Sequence, residues 1–147
     1  MNYLNKGNDG FASLRNSKFV DKSLLIAEVN SAMMTENRFL CVTRARRFGK
    51  SVAVKMLNAY YDKSCDSQNL FQGLAISKDE DFEKHLNRYP VLYLDMTDFV
   101  TKYGNDEQLV EHIKRDICEE LLELYKGVVM KPNDDLMDLL VSIVNQT

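Results

Sequence analysis

Apolar residues return at helical spacing in four stretches of the chain and crowd into short unbroken runs in two others. From Asp21 onward, Leu25, Val29, Ala32 and Met33 repeat with the three- and four-residue steps of an amphipathic helix, and Asp21 stands where an N-cap is expected. Residues 52–62 predict a second helix that buries Ala53, Met56, Leu57 and Tyr60. Leu109, Ile113, Ile117, Leu121 and Leu124 predict a long third one, opened by a capping box of Asn105 with Gln108 and stopped at Gly127. A fourth, from about Asp134, carries Leu136, Leu139, Leu140 and Ile143. The dense runs are RFLCVT, residues 38–43, and YPVLYLDM, residues 89–96. Both read as buried strands, and Pro90 is tolerable at the start of the second.

Residues 1–18 read as an irregular lead-in with a turn at Gly7 to Gly10, and 63–69 as a polar connection. Leu70, Phe71, Leu74 and Ile76 cluster around Gly73 as an irregular or short helical piece. Strands separated by helices predict parallel pairing in an α/β sheet. Two strands are few for such a sheet, which normally has several strands and both faces covered.

The chain has 147 residues, the size of one typical domain, and at 45% hydrophobic and 28% charged it can build a core. Its net charge of −3 argues against a nucleic-acid coat protein. The charge is uneven, however. Arg44, Arg46, Arg47 and Lys50 crowd together, while residues 79–123 are mostly acidic, a distribution that suits a small anion better than a long polyanion. Cys41, Cys65 and Cys118 have no metal-like spacing, so a reducing cytosol is the natural setting, and Cys41 reads as a small buried hydrophobe. No apolar run approaches the ~20 residues of a membrane span, and the amino terminus lacks a signal-peptide core.

The cations converge on TRARRFGKS, residues 43–51. It follows a predicted strand and precedes a predicted helix, the setting in which a glycine-rich loop cradles phosphate with backbone N–H groups. Gly49 permits close backbone approach, Lys50 supplies a point charge and Ser51 supplies a hydroxyl for Mg²⁺. Arg44 occupies the position where the pattern has its first glycine. The pattern alone leaves open a nucleotide site, a basic contact for nucleic-acid phosphates, a solvated basic turn, or a protein-interaction remnant without catalysis.

TRARRFGKS resembles the RPRRFGKS loop of the bacterial AAA-ATPase-like family, which also carries arginine at the first-glycine position. NSKFVDKSLLI, LNAYYD, LFQGLAI and YPVLYLDMTDF resemble further blocks of that family in the same order, over about residues 8–100 and more weakly beyond. Ala45 departs from it, standing where the family usually has proline. The resemblance implies an ASCE-type P-loop NTPase: a three-layer α/β fold with an incomplete parallel sheet and flanking helices. It implies ATP with Mg²⁺ as ligands, held by Arg46, Arg47, Phe48, Gly49, Lys50, Ser51 and Val52, with Ser51 on the metal. Members are longer, often with a nuclease-like domain. Their Walker B strand lies downstream of the YPVLYL strand, and nothing in 126–147 resembles it. Residues 1–147 are therefore expected to be the N-terminal portion of one such ATPase domain, with unpaired strand edges and no hydrolysis on their own. The rest of the ATPase or a second copy are the expected partners, with nucleic acid reached through the nuclease domain.

Asp95 ends an apolar run as a Walker B aspartate holding Mg²⁺ through water would, but Met96 stands where a catalytic glutamate belongs, and Asp98 reads as a turn residue. KFVDK, residues 18–22, resembles the stretch near the adenine in related ATPases, which offers Val20 to the base; the residues alone read as a helix start. His85 and His112 are isolated in sequence.

Overall fold

A computed structural model describes residues 3–131 and 134–146. The chain divides into two compact units, one of Asn5–Leu92 and one of Met1–Leu4 with Tyr93–Thr147.

In the first unit, α1 spans Asp9–Arg15, α2 Leu24–Ala32, α3 Lys50–Tyr61 and α4 Phe82–His85, with short 3-10 turns at Glu36–Arg38, Gln68–Phe71 and Ala75–Lys78. Met56, Ala59 and Tyr60 turn one face of α3 into a core shared with Phe11, Ile26, Phe71, Leu74, Ile76 and Phe82. Phe71 sits among three rings, with Phe11, Tyr60 and Phe82 centroids 5.0, 5.6 and 6.1 Å away. Each such fully buried side chain contributes about 1.5–3 kcal/mol. The Tyr60 hydroxyl, carried into this core, donates to the Phe82 carbonyl at 2.7 Å. Buried Asp62 follows α3 and accepts from the Gly7 and Ser64 N–H groups at 2.6 and 2.8 Å. Asn87 donates its amide to the Ala59 and Asp62 carbonyls at 3.0 and 2.7 Å, satisfying acceptors that the helix end leaves open.

In the second unit, α5 spans Met96–Tyr103, α6 Leu109–Leu124 and α7 Leu136–Gln146. Phe99, Ile117, Leu121, Leu139 and Ile143 are buried there. Asp116 is buried at the centre of a polar cluster, accepting from Lys102, from the Tyr103 hydroxyl and from Arg115. Burial pushes its carboxyl up, but the hydrogen bonds from Lys102 and Tyr103, with Arg115 behind them, outweigh this and hold it below the ordinary value. A depressed carboxylate stabilises the fold above its unfolded pKa of about 4, and that contribution fades as pH falls through the lower folded value. Melts of wild type and Asp116→Asn from pH 7 to 3 should show a gap in stability that narrows below about pH 4. A gap of constant size would mean that the Asp116 charge does not stabilise the fold.

The expected three-layer α/β fold is not what forms. No strand occurs among the described residues; the β geometry there includes an isolated parallel bridge between Asp62 and Tyr89. Residues 39–45 have no regular structure, with Phe39 81%, Leu40 51% and Val42 50% exposed, and Cys41 is exposed rather than buried. The physical reason is that a strand, unlike a helix, satisfies its N–H and C=O groups only on a neighbour. No described segment pairs with this one as a ladder. The second apolar run breaks up instead: Tyr89 pairs backbone with Tyr61 and Lys63 at 2.9 Å, and Met96 opens α5.

Smaller corrections are local. Asp9–Arg15 is helical inside the expected irregular lead-in, anchored by buried Phe11. Ser23, not Asp21, precedes α2, and Ile26 is its deepest residue. The capping box at Asn105 does not form: α6 starts after Gln108, whose side chain makes no cap, and ends at Leu124, before Gly127. Helices α3, α6 and α7 otherwise lie close to where periodicity puts them. No helix among the described residues is long and apolar enough to cross a membrane.

Candidate functional site

The basic loop enters α3 through two left-handed residues. Gly49, the N-cap, has φ 84° and ψ 23°, and Arg47 has φ 65°. Glycine adopts this conformation freely, whereas at Arg47 it costs about 1–2 kcal/mol. Left-handed residues at two positions of three turn the backbone sharply as it enters α3. Gly49 has no side chain to cap the first turn of α3, and its carbonyl already accepts from Ala53 at 2.9 Å. The first-turn N–H groups, at the positive end of the helix dipole, are thereby left without a side-chain cap.

Two ammonium groups fasten this loop, one from within the motif and one from outside it. Lys50 donates to the Arg44 carbonyl at 2.7 Å, reaching back across the loop to the position of the missing first glycine. Lys22 donates to the Phe48 carbonyl at 2.7 Å. A β-carbon on Gly49 would lie 3.2 Å from the Lys22 nitrogen, so the approach there is close. Lys22 is presented by its neighbours. Asp21 accepts from the Ser23 and Ala75 N–H groups, both at 2.8 Å, and the buried Ser23 hydroxyl accepts from the Ile76 N–H at 3.1 Å. Burial pushes the Asp21 carboxyl up, but the hydrogen bonds from Ser23 and Ala75 outweigh it and hold the group below its ordinary value.

Two open clefts flank the loop. One, of about 250 Å³, has Leu24, Leu25, Glu28, Val42, Arg44 and Lys50 on its walls. The other, of about 280 Å³, has Lys18, Phe19, Val20, Arg47 and Val52. Lys22, Phe48 and Gly49 border both. The structure thus gathers Arg47, Phe48, Gly49, Lys50 and Val52 around the clefts, whereas Arg46 and Ser51 are exposed and line neither. Val20, 71% exposed, lines the second cleft. The Arg44 guanidinium folds back on the Thr43 carbonyl at 3.1 Å. Sequence reasoning placed Lys22 in the KFVDK stretch but missed its contact with the loop, and it missed Glu28 as a cleft residue; only the tertiary structure reveals these placements.

The other candidates have local roles. Asp95 is the N-cap of α5, accepting from the Thr97 N–H at 2.9 Å, and Asp98 lies in that helix's first turn. His85 shares a 2.6 Å hydrogen bond with the Tyr89 hydroxyl, and His112 stacks on Tyr103 at 4.6 Å. No group of three or more His, Cys, Asp or Glu among the described residues is placed to hold a metal ion.

The model of a family described as predicted AAA-ATPase matches residues 6–147 of this chain. No curated protein and no solved structure matches it.

Proposed function

Because the chain belongs to the AAA-ATPase-like family, we propose that residues 43–51 bind the phosphates of ATP together with Mg²⁺. The observation that carries this reading is the Lys50 ammonium held 2.7 Å from the Arg44 carbonyl, in a loop that leads into an α3 start without a side-chain cap. Lys50 supplies a mobile point charge, and the N–H groups of Gly49, Lys50, Ser51 and Val52 supply directed donors. Arg46 and Arg47 are exposed beside them and add positive potential. Arg44 is compatible with this role, because Lys50 takes its backbone oxygen and any residue offers one.

Magnesium fits on the same terms. Ser51, exposed in the first turn of α3, presents one oxygen, and no acidic cage is needed for an ion that keeps several waters and shares the nucleotide's phosphates. Bound Mg²⁺ neutralises phosphate charge. Val20 and Phe19, on the wall of the second cleft, offer apolar surface to a base.

Titration calorimetry with Mg-ATP at physiological salt tests the reading. One saturable site is expected. No heat with Mg-ATP, together with single-stranded DNA binding that fades steeply with salt, would assign the basic loop to nucleic-acid phosphates instead.

A further inference from the structure

We infer that Lys22, which stands outside the loop motif, is a positioning residue for the phosphate site; the inference rests on the nucleotide-binding reading of residues 43–51. Its ammonium holds the Phe48 carbonyl at 2.7 Å. In a planar trans peptide the C=O and the following N–H point to opposite sides. Pinning the Phe48 oxygen to Lys22 therefore directs the Gly49 N–H away from Lys22. That N–H leads directly into the uncapped first turn of α3 and belongs to the set that meets an anion.

The latch is needed because the peptide it holds is easily turned. Gly49, on one side of it, adopts either sign of φ at little cost. Arg47, one residue earlier, is already in the left-handed region at φ 65°. A flipped 48–49 peptide would present the Phe48 carbonyl where the Gly49 N–H belongs, and an oxygen facing a phosphate repels it. Lys22 opposes that flip with a donor-only group on a stem whose base is fixed. Asp21 and Ser23, its two neighbours in sequence, are tied to the backbone N–H groups of Ala75 and Ile76. The alternating roles at Asp21, Lys22 and Ser23 explain why a short segment before α2 faces both the core and the loop.

The test compares wild type, Lys22→Met and Lys22→Arg by Mg-ATP calorimetry and by the amide resonance of Gly49 in the nucleotide-free protein. Lys22→Met keeps the length of the stem and loses the donor. It should fold cooperatively, weaken Mg-ATP about tenfold, and shift the Gly49 amide before any ligand is added. Lys22→Arg, which can still donate to Phe48, should restore most of the affinity and the resonance. Wild-type affinity in Lys22→Met, or weaker binding with the free Gly49 resonance unmoved, would overturn the positioning role while leaving nucleotide binding in place. No Mg-ATP binding by wild type would remove the nucleotide reading and this inference with it.

Discussion

Lys50→Ala should melt where the wild type melts without nucleotide and should lose the rise that Mg-ATP gives the wild type. The hydrogen bond from Lys50 to the Arg44 carbonyl is exposed, so its removal changes the free protein by no more than about 0.5 kcal/mol. The effect with nucleotide is large by linkage. A ligand at one hundred times its dissociation constant adds about 2.7 kcal/mol to the folded state, and the variant forfeits this if binding depends on the ammonium. Calorimetric melts of both proteins, with and without Mg-ATP, read the difference directly. A rise of equal size in Lys50→Ala would move the site away from the loop. A cooperative wild-type melt with no rise would end the nucleotide reading.

Phe71→Ala should destabilise Asn5–Leu92 by about 3–5 kcal/mol, a large share of a typical domain's stability. Phe71 is fully buried and its ring meets Phe11 of α1, Tyr60 of α3 and Phe82 of α4. Removing it leaves a cavity that none of these rings can fill without breaking its other contacts. The Tyr60 ring, for one, is held by its hydroxyl on the Phe82 carbonyl. Urea denaturation measures the loss, and a value under about 1 kcal/mol would mean that the core relaxes around the missing ring. The two variants differ in kind. Phe71→Ala should lower the melt with or without nucleotide, because it acts on the packing that seats α3; Lys50→Ala should act only when nucleotide is present.

Much of the candidate site was legible because it is continuous in sequence. Gly49, Lys50 and Ser51 stand in the order of a phosphate loop and α3 follows at the expected place, but the strand expected ahead of the loop does not form. The apolar faces of α6 and α7 were largely legible for the same reason, since a helix closes its own hydrogen bonds and shows its buried face at a fixed step, although Leu124, expected on the α6 face, is exposed. Shorter elements escaped. Asp9–Arg15 buries a single residue, Phe11, too few for a period to show. Met96–Tyr103 was hidden by the apolar run that leads into it, although Asp95, its cap, is a local signal. Lys22 lies in the KFVDK stretch, but nothing in the sequence signalled its role at the loop, because its partner, the Phe48 carbonyl, lies 26 residues away.

From sequence alone, then, come the main helical faces, the cluster of positive charge and the identity of the residues in the loop, all properties of neighbours within a few turns of chain. Tertiary structure decided the rest. It left the apolar residues 39–42 exposed rather than in a sheet, because strand pairing requires a second segment that local composition does not specify. It also brought Lys22 to the loop, because a side chain's reach across 26 residues depends on where Asp21 and Ser23 are tied, and those ties are to residues 75 and 76.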